Sequence, residues 1–120
     1  MGLDFSHTEA SWAYGGFSRF REALAKHEGI DLNAMEGFAR YGDNRPRIPW
    51  DTVTTDLKPL LDHSDCDGEL TPEECAQVAP RLREVINAVW PDGCYDRTSG
   101  LLLADGMDAA AQAGENLEFC

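Results

Sequence analysis

Apolar residues recur at helical spacing in two long stretches of the chain. Between residues 17 and 27 they repeat at intervals of three and four, which predicts an amphipathic helix with Gly29 as its C-terminal cap. The second stretch begins at Thr71, a residue type that caps helix N-termini, followed by Pro72 at the first helical position. Its predicted apolar face consists of Cys75, Val78, Ala79, Leu82, Val85, Ile86 and Val89. These two stretches predict a mainly helical fold.

Two further helices are predicted from weaker patterns. One covers residues 51–61, where Pro59 limits the regularity of the last turn. The other lies within residues 96–113, where Gly100 and Gly106 interrupt the helical pattern because glycine costs about 1 kcal/mol relative to alanine inside a helix.

The segments outside these helices are short and broken by glycine and proline. Residues 2–14 predict a strand, and residues 116–120 predict another strand beside residues 3–6. Residues 30–50 predict a surface loop around one short helical turn. We therefore expect an α+β fold over residues 1–120, a mainly helical single domain with a small sheet that pairs the two termini.

Charge narrows the classes of partner. The chain has 22 acidic and 10 basic residues, a net charge of −12, which argues against a nucleic-acid partner because phosphate binding needs clustered Lys and Arg.

No apolar run approaches the roughly 20 residues that span a bilayer, and the polar N-terminus lacks the pattern of an export signal. The four cysteines have no paired spacing and are interpreted as reduced thiols. We expect a cytoplasmic protein with no membrane partner.

The segment HSDCDGELTPEE, residues 63–74, matches a calcium-binding EF-hand loop at most of its demanding positions. Asp65 and Asp67 stand at loop positions three and five, and Gly68 stands at position six, where the backbone turns sharply. Glu69 would offer its backbone carbonyl at position seven, and Glu74 would offer a bidentate carboxylate at position twelve. The candidate metal ligands are therefore Asp65, Asp67, Glu69 and Glu74, with calcium as the metal.

Position one departs from the EF-hand pattern, because His63 stands where these loops have aspartate. Imidazole is a poor ligand for calcium, a hard cation that prefers oxygen. The sequence also holds no second loop to pair with this one. The alternative interpretation of the segment is a turn and a helix N-cap, which use the same Asp, Gly and Thr chemistry.

The segment WAYGGFSRFR, residues 12–21, places aromatic side chains and two arginines around a pair of glycines at a predicted helix start. Backbone N–H groups at a helix N-terminus attract anions, arginine contacts phosphate bidentately, and aromatic faces stack on bases. That combination suits a nucleotide. The alternative is that Phe17 and Phe20 belong to the core, that Trp12 and Tyr14 pack on them, and that the arginines are solvated.

Four segments of the chain resemble a group of short uncharacterised proteins from actinobacteria and bacteriophages that share an HSDCDGEL motif. These segments are the opening MGLDFSHTEASW, WAYGGFSRFR, HSDCDGELTPEEC and the closing LEFC. The resemblance covers most of the chain. It implies origin and size rather than chemistry.

The leading hypothesis is a non-enzymatic binding protein that sequesters a small anionic nucleotide-derived signal, as a phage counter-defence protein would in the cytoplasm of the host cell. Because 120 residues leave little room for a deep cavity, the pocket is expected at the interface of a homo-oligomer. The candidate ligand-binding residues are Trp12, Tyr14, Phe17, Arg19, Arg21, His63 and Asp65. One alternative is a single EF-hand-like calcium-binding module, and another is a structural or interaction protein without a small ligand. No arrangement of catalytic residues indicates an enzyme, and no cofactor other than calcium is expected.

Overall fold

Four helices and four short strands occur in the computed structural model, which describes residues 2–35, 46–62 and 68–119. In chain order they are β1 (Gly2–Asp4), β2 (Ser11–Ala13), α1 (Tyr14–His27), α2 (Lys58–Leu61), β3 (Gly68–Leu70), α3 (Pro72–Val89), α4 (Tyr95–Ala113) and β4 (Leu117–Phe119). Short 3-10 turns cover Leu32–Ala34 and Trp50–Thr52. No helix in these described ranges is long and apolar enough to cross a membrane.

The helices α3 and α4 form an antiparallel pair. The guanidinium of Arg83 lies 2.7 Å from a carboxylate oxygen of Asp105, and Arg97 donates to Asn87 Oδ1 at 2.7 Å. Partner positions therefore rise along one helix as they fall along the other, and residues 90–94 form the connection. This pair is the frame on which α1 and the strands pack.

The predicted start and buried face of α3 are confirmed. The hydroxyl of Thr71 accepts from the Glu74 backbone N–H at 3.2 Å, and Glu74 Oε1 accepts from the Thr71 backbone N–H at 2.9 Å. This reciprocal capping box satisfies two N–H groups that the first turn leaves without helical partners. Six of the predicted apolar positions, Cys75, Val78, Ala79, Leu82, Val85 and Ile86, are fully buried, and Val89 packs against them.

The helix α4 runs without a break through both of its central glycines. A Cβ atom added to Gly100 would lie 2.6 Å from Ile86 Cδ1, and one added to Gly106 would lie 2.6 Å from the Thr8 Cβ. Such distances are shorter than real carbon contacts. The two glycines are therefore points of close approach to α3 and to the loop before β2 rather than helix breaks.

The predicted helix over residues 51–61 is wrong for most of its length. A 3-10 turn ends at Thr52, Val53 is extended, and the helical turn α2 begins only at Lys58. The run Val53-Thr54-Thr55 is β-branched, which disfavours helix. The Thr55 hydroxyl accepts from the Leu57 backbone N–H at 3.2 Å, a local bond that competes with helix formation.

The helix α1 begins earlier than predicted, at Tyr14, and ends where predicted. Gly29 has a φ of +79°, and the Ile30 N–H donates to the Ala25 carbonyl at 2.8 Å across the helix end. The segment after α1 is less exposed than a surface loop, because Met35 is 1% exposed. Residues 36–45 of the predicted loop lie outside the described residues.

The strands confirm the α+β class and bring the two ends of the described chain together. Antiparallel pairs form between β1 and β2 and between β3 and β4. A bridge between Phe5 and Phe119 joins the two pairs, and the Ser6 N–H donates to the Glu118 carbonyl at 3.0 Å. The predicted strand at residues 116–120 thus meets residues 3–6 at this bridge, while its longer ladder is with β3.

One hydrophobic core gathers residues from all four helices and all four strand segments. Of the cysteines, Cys75 is buried in this core and Cys94 is half-buried, both as free thiols. Burial raises the pKa of the Cys75 thiol to about 11. The Cys75 thiol is therefore a core side chain with little thiolate at neutral pH. The other two cysteines, Cys66 and Cys120, lie outside the described residues.

Candidate functional site

Two aromatic side chains of the predicted ligand site, Trp12 and Phe17, lie inside the protein. Trp12 is 3% exposed and Phe17 is fully buried. The Trp12 ring centroid lies 4.7 Å from that of Phe20 and 5.3 Å from that of Phe17, and Phe5 meets it edge-on at 6.0 Å. The indole N–H donates to Asp96 Oδ1 at 3.0 Å. These contacts fit the core interpretation of the cluster, because 3% exposure leaves too little of the Trp12 face for a base.

The side chain of Arg21 is buried as well, with 2% exposure. Its Nη1 donates to the carbonyls of Leu60 and Leu61 at 3.3 and 3.4 Å, at the end of α2. The guanidinium carbon lies 5.2 Å from the centre of the Phe17 ring, within cation–π distance. Arg21 therefore ties α1 to α2. Arg21 lies four positions after Phe17, so both residues share one face of the helix. This spacing is a signal in the sequence for the burial of Arg21, which was expected to be solvated or to bind phosphate.

Arg19 is exposed, as a phosphate-binding arginine would be. Its guanidinium lies beside the first turn of α1, so that Cβ atoms added to Gly15 and Gly16 would lie 3.5 and 4.0 Å from its nitrogens. Ala13 at the N-cap position has no polar side chain with which to cap these N–H groups. Tyr14 begins the helix, and its side chain is outside what the structure describes.

Residues 63–67 of the motif, which include the candidate ligands His63, Asp65 and Asp67, lie outside the described residues. Gly68 is the first described residue after this gap and has a φ of +100°. This left-handed value is one that glycine adopts without strain, and it falls at the sixth loop position, where an EF-hand turns. Glu69 follows in β3 with an exposed side chain, opposite Glu118 in β4.

The end of the motif forms the start of α3. Leu70, at loop position eight, is 1% exposed and pairs with Leu117 of β4. Pro72, at position ten, is the first residue of α3. Glu74, at position twelve, is half-buried and uses one carboxylate oxygen in the capping box with Thr71. The frame on the C-terminal side of the motif is therefore a glycine turn, one buried leucine and a capped helix.

A further polar arrangement joins the end of α1 to the middle of α3. Arg81 donates through Nε to Glu28 Oε1 and through Nη2 to Oε2, both at 2.7 Å, and Thr55 Oγ1 donates to Oε1 at 2.7 Å. The Glu28 side chain is 6% exposed. The hydrogen bond from Arg81, together with that from Thr55, lowers the pKa of the Glu28 carboxyl to about 2 against the opposing effect of burial.

This ion pair lies in a half-open cleft of about 720 Å³. We call it the α1–α3 cleft, because its walls are residues 28–31 after α1, residues 52–56, and Arg81 and Glu84 of α3, together with Met35 and Ile48. The sequence pattern did not predict this cleft. Glu28 and Arg81 are 53 positions apart, and no local spacing indicates that they meet.

No group of three or more His, Cys, Asp or Glu side chains within residues 2–35, 46–62 and 68–119 is arranged to hold a metal ion. Comparison of the chain with protein families, with curated proteins and with solved structures finds no match. The candidate sites are therefore the end of the 63–74 motif, the α1–α3 cleft and the first turn of α1 beside Arg19.

Proposed function

We propose that the protein is a calcium-binding module in which residues 63–74 form one EF-hand-like loop. The observation that carries the proposal is the order of three features at the required spacing. Gly68 has positive φ at position six, Leu70 is buried at position eight, and α3 begins with Pro72 at position ten. A turn and N-cap alone would need the glycine and the cap, but not this spacing between them.

The ligands in this proposal follow from the sequence positions. Asp65, Asp67 and Glu74 supply carboxylates, and Glu69 supplies its backbone carbonyl. The strand β3 needs hydrogen-bond partners that a second loop would otherwise provide, and β4 provides them through the pair of Leu70 and Leu117. A single loop can therefore be held in place by the rest of this chain.

The affinity expected is low. His63 replaces one oxygen ligand at position one, and affinity in such loops falls as the number of charged ligands falls. We expect a Kd of about 0.1 to 1 mM, in the range of weak calcium modules. At 10 mM calcium this would stabilise the folded state by about 1.4 to 2.7 kcal/mol, through binding to the folded state alone.

The substitution Glu74→Gln tests the role of position twelve without removing the helix cap, because glutamine also completes a capping box. Its matched control is Glu73→Gln, which removes the same charge from the same helix turn. In calorimetric titrations of chelator-treated protein we expect calcium to bind the parent and the Glu73→Gln variant equally, and at least about tenfold more weakly to Glu74→Gln. No heat at millimolar calcium, or equal binding by Glu74→Gln, would contradict the proposal.

We retain a second proposal, the sequestration of a nucleotide-derived anion by a phage counter-defence protein in the host cytoplasm. What supports it is the exposed guanidinium of Arg19 beside the uncapped first turn of α1. Because Trp12 and Arg21 are buried, their substitution would test folding, and Arg19→Gln is the informative variant. Lys26→Gln removes the same charge at the other end of α1 and is its control.

The second proposal is tested by incubation with a panel of cyclic dinucleotides and ADP-ribose derivatives, followed by recovery of the small molecule by heating. Intact release of one compound, lost in Arg19→Gln and kept in Lys26→Gln, supports sequestration. A converted product would mean an enzyme. Retention of no compound, or equal loss in both variants, would contradict sequestration.

A further inference from the structure

We propose that the α1–α3 cleft binds an organic cation that carries its amine on an apolar body. The cleft has a volume of about 720 Å³. That volume lies within the range of about 300 to 1,000 Å³ that is usual for small-molecule sites and is far larger than one metal ion needs. The occupant that fits is therefore an organic molecule.

Apolar side chains form one wall of the cleft. Met35 is buried, and Ile30 and Val53 are half-buried. Ile48 is 43% exposed, which makes it one of the few large apolar side chains that the described residues present to solvent. A ligand that covers Ile48 would remove apolar surface from water, which favours binding by about 25 cal/mol for each Å² buried.

The charges of the lining residues that the structure describes are predominantly negative. Four carboxylates face the cleft, and Arg81 is the basic residue among the lining residues that the structure describes. The positive charge of Arg81 is already engaged, because Glu28 accepts two of its hydrogen bonds and Glu84 lies 3.6 Å from Nη1. The potential in the cleft therefore favours a cation over an anion.

Asp31, Asp56 and Glu84 are the carboxylates that a ligand would meet first, because all three are exposed at the rim. Glu28 lies deeper and is held by Arg81 and Thr55, which keeps the floor of the cleft in one arrangement. A site with a fixed floor loses less entropy when it binds a ligand.

The experiment compares two probes with the same indole body and opposite charge, tryptamine and indole-3-acetate. Titrations are followed by the shifts of backbone amide NMR signals in the labelled full-length chain. We expect tryptamine to shift signals of residues 28–31 and 52–56, and indole-3-acetate to bind at least about tenfold more weakly, because like charges at the rim oppose it. Added salt should weaken the binding of tryptamine.

Three variants locate the site. Asp56→Asn should weaken tryptamine binding by roughly threefold or more, since it removes a rim charge. Its control, Asp92→Asn, removes the same charge from a side chain that is 96% exposed and lies outside the cleft, and should leave binding unchanged. Thr54→Trp fills the cleft from an exposed position and should abolish binding while the melting temperature stays close to that of the parent.

Four outcomes would overturn the proposal. Three of them are no amide shifts with tryptamine up to about 10 mM, equal binding of the two probes, and equal weakening by Asp56→Asn and Asp92→Asn, which would mean general attraction to an acidic surface. Shifts confined to residues outside the cleft would also overturn it.

Discussion

The two carboxylate oxygens of Glu28 accept three hydrogen bonds, two from Arg81 and one from Thr55. These bonds favour the ionised form, which is why the pKa of this carboxyl falls to about 2 although burial opposes the shift. The pKa in the folded state is therefore below the value near 4.3 that an unfolded chain would have. A depressed folded-state pKa contributes stability above the unfolded pKa, and that stability is lost as the pH falls toward 2.

At the scale of this one residue, the variant Glu28→Gln should destabilise the protein by about 1 to 3 kcal/mol at pH 6, because a charged partner is removed from a buried pair. The difference from the parent should shrink between pH 5 and pH 2, because the carboxyl of the unfolded parent takes up a proton in this range while that of the folded parent stays ionised down to about pH 2. Urea unfolding at a series of pH values measures both effects. This measurement is made without a ligand, so it tests the pair of Glu28 and Arg81 independently of any binding in the α1–α3 cleft.

The matched control for Glu28→Gln is Glu84→Gln. Glu84 also pairs with Arg81, at 3.6 Å, but its side chain is 68% exposed, and exposed pairs contribute about 0 to 1 kcal/mol. Two outcomes would contradict this prediction. They are a difference in unfolding free energy between Glu28→Gln and the parent that does not change with pH, and equal destabilisation by Glu28→Gln and Glu84→Gln. Either would show that the pair with Arg81 does not stabilise the ionised form of Glu28.

At the scale of one element, the contacts of Gly106 decide how α4 lies against the rest of the chain. The Thr8 hydroxyl donates to the Leu102 carbonyl of α4 at 2.8 Å, which brings the loop before β2 onto the helix. A Cβ on Gly106 would lie 2.6 Å from the Thr8 Cβ and 3.3 Å from the His7 carbonyl oxygen. The loop backbone would have to move to make room.

We expect Gly106→Ala to destabilise the protein by about 1 to 3 kcal/mol, the usual cost of overpacking. Helix propensity alone would give the opposite sign, a gain of about 1 kcal/mol. Urea unfolding of the variant decides between the two. In a double-mutant cycle, Thr8→Gly should reduce the cost of Gly106→Ala, since it removes the atoms that the new methyl group meets. A stabilised Gly106→Ala protein would mean that this contact is not formed.

A comparison of α3 with α4 shows which elements the sequence could predict. The cap Thr71, the proline after it and the spacing from Cys75 to Ile86 are local signals, and they predicted α3 correctly. Gly100 and Gly106 were predicted to interrupt α4, and this prediction was wrong. Each glycine is explained by a close contact with a residue outside α4, Ile86 for Gly100 and Thr8 for Gly106. Local propensity cannot report such a contact.

The same distinction, between local signals and contacts of residues far apart in the sequence, applies to the predicted sites. The position of Gly68 could be predicted from the motif, since a left-handed turn depends on the residue itself. The α1–α3 cleft could not, because it needs Glu28, Thr55 and Arg81 to come together from three parts of the chain. Arg21 lies between these cases: its helical spacing indicated burial, but its residue type suggested solvent or phosphate.

At the scale of the whole molecule, net charge outweighs the individual ion pairs. The chain has a net charge of −12, and residues 51–120 carry 4 basic and 15 acidic side chains, a net charge of −11 (4 − 15). Like charges at this density repel one another in the folded state. The exposed pairs, such as Arg83 with Asp105 and Asp108, each contribute about 0 to 1 kcal/mol and offset the repulsion only in part.

Sodium chloride should therefore stabilise the protein. Between about 0.02 and 0.5 M salt the Debye length falls from over 20 Å to about 4 Å, which screens the long-range repulsion. We expect the urea midpoint to rise across this range at pH 7. Potassium chloride at the same concentrations should act equally, which separates screening from specific binding of sodium. A midpoint that falls with salt would mean that the ion pairs outweigh the repulsion.

The bridge between the N-terminal segment and β4 has a consequence for the order of folding. Asn87 and Arg97, which link α3 to α4, are 10 positions apart, whereas Ser6 and Glu118 are 112 positions apart. Closing the longer loop costs more chain entropy, so the helical pair can form in the folding transition state before the bridge does. Weakening the bridge, as in Phe119→Leu, should then speed unfolding in stopped-flow experiments and leave the refolding rate nearly unchanged.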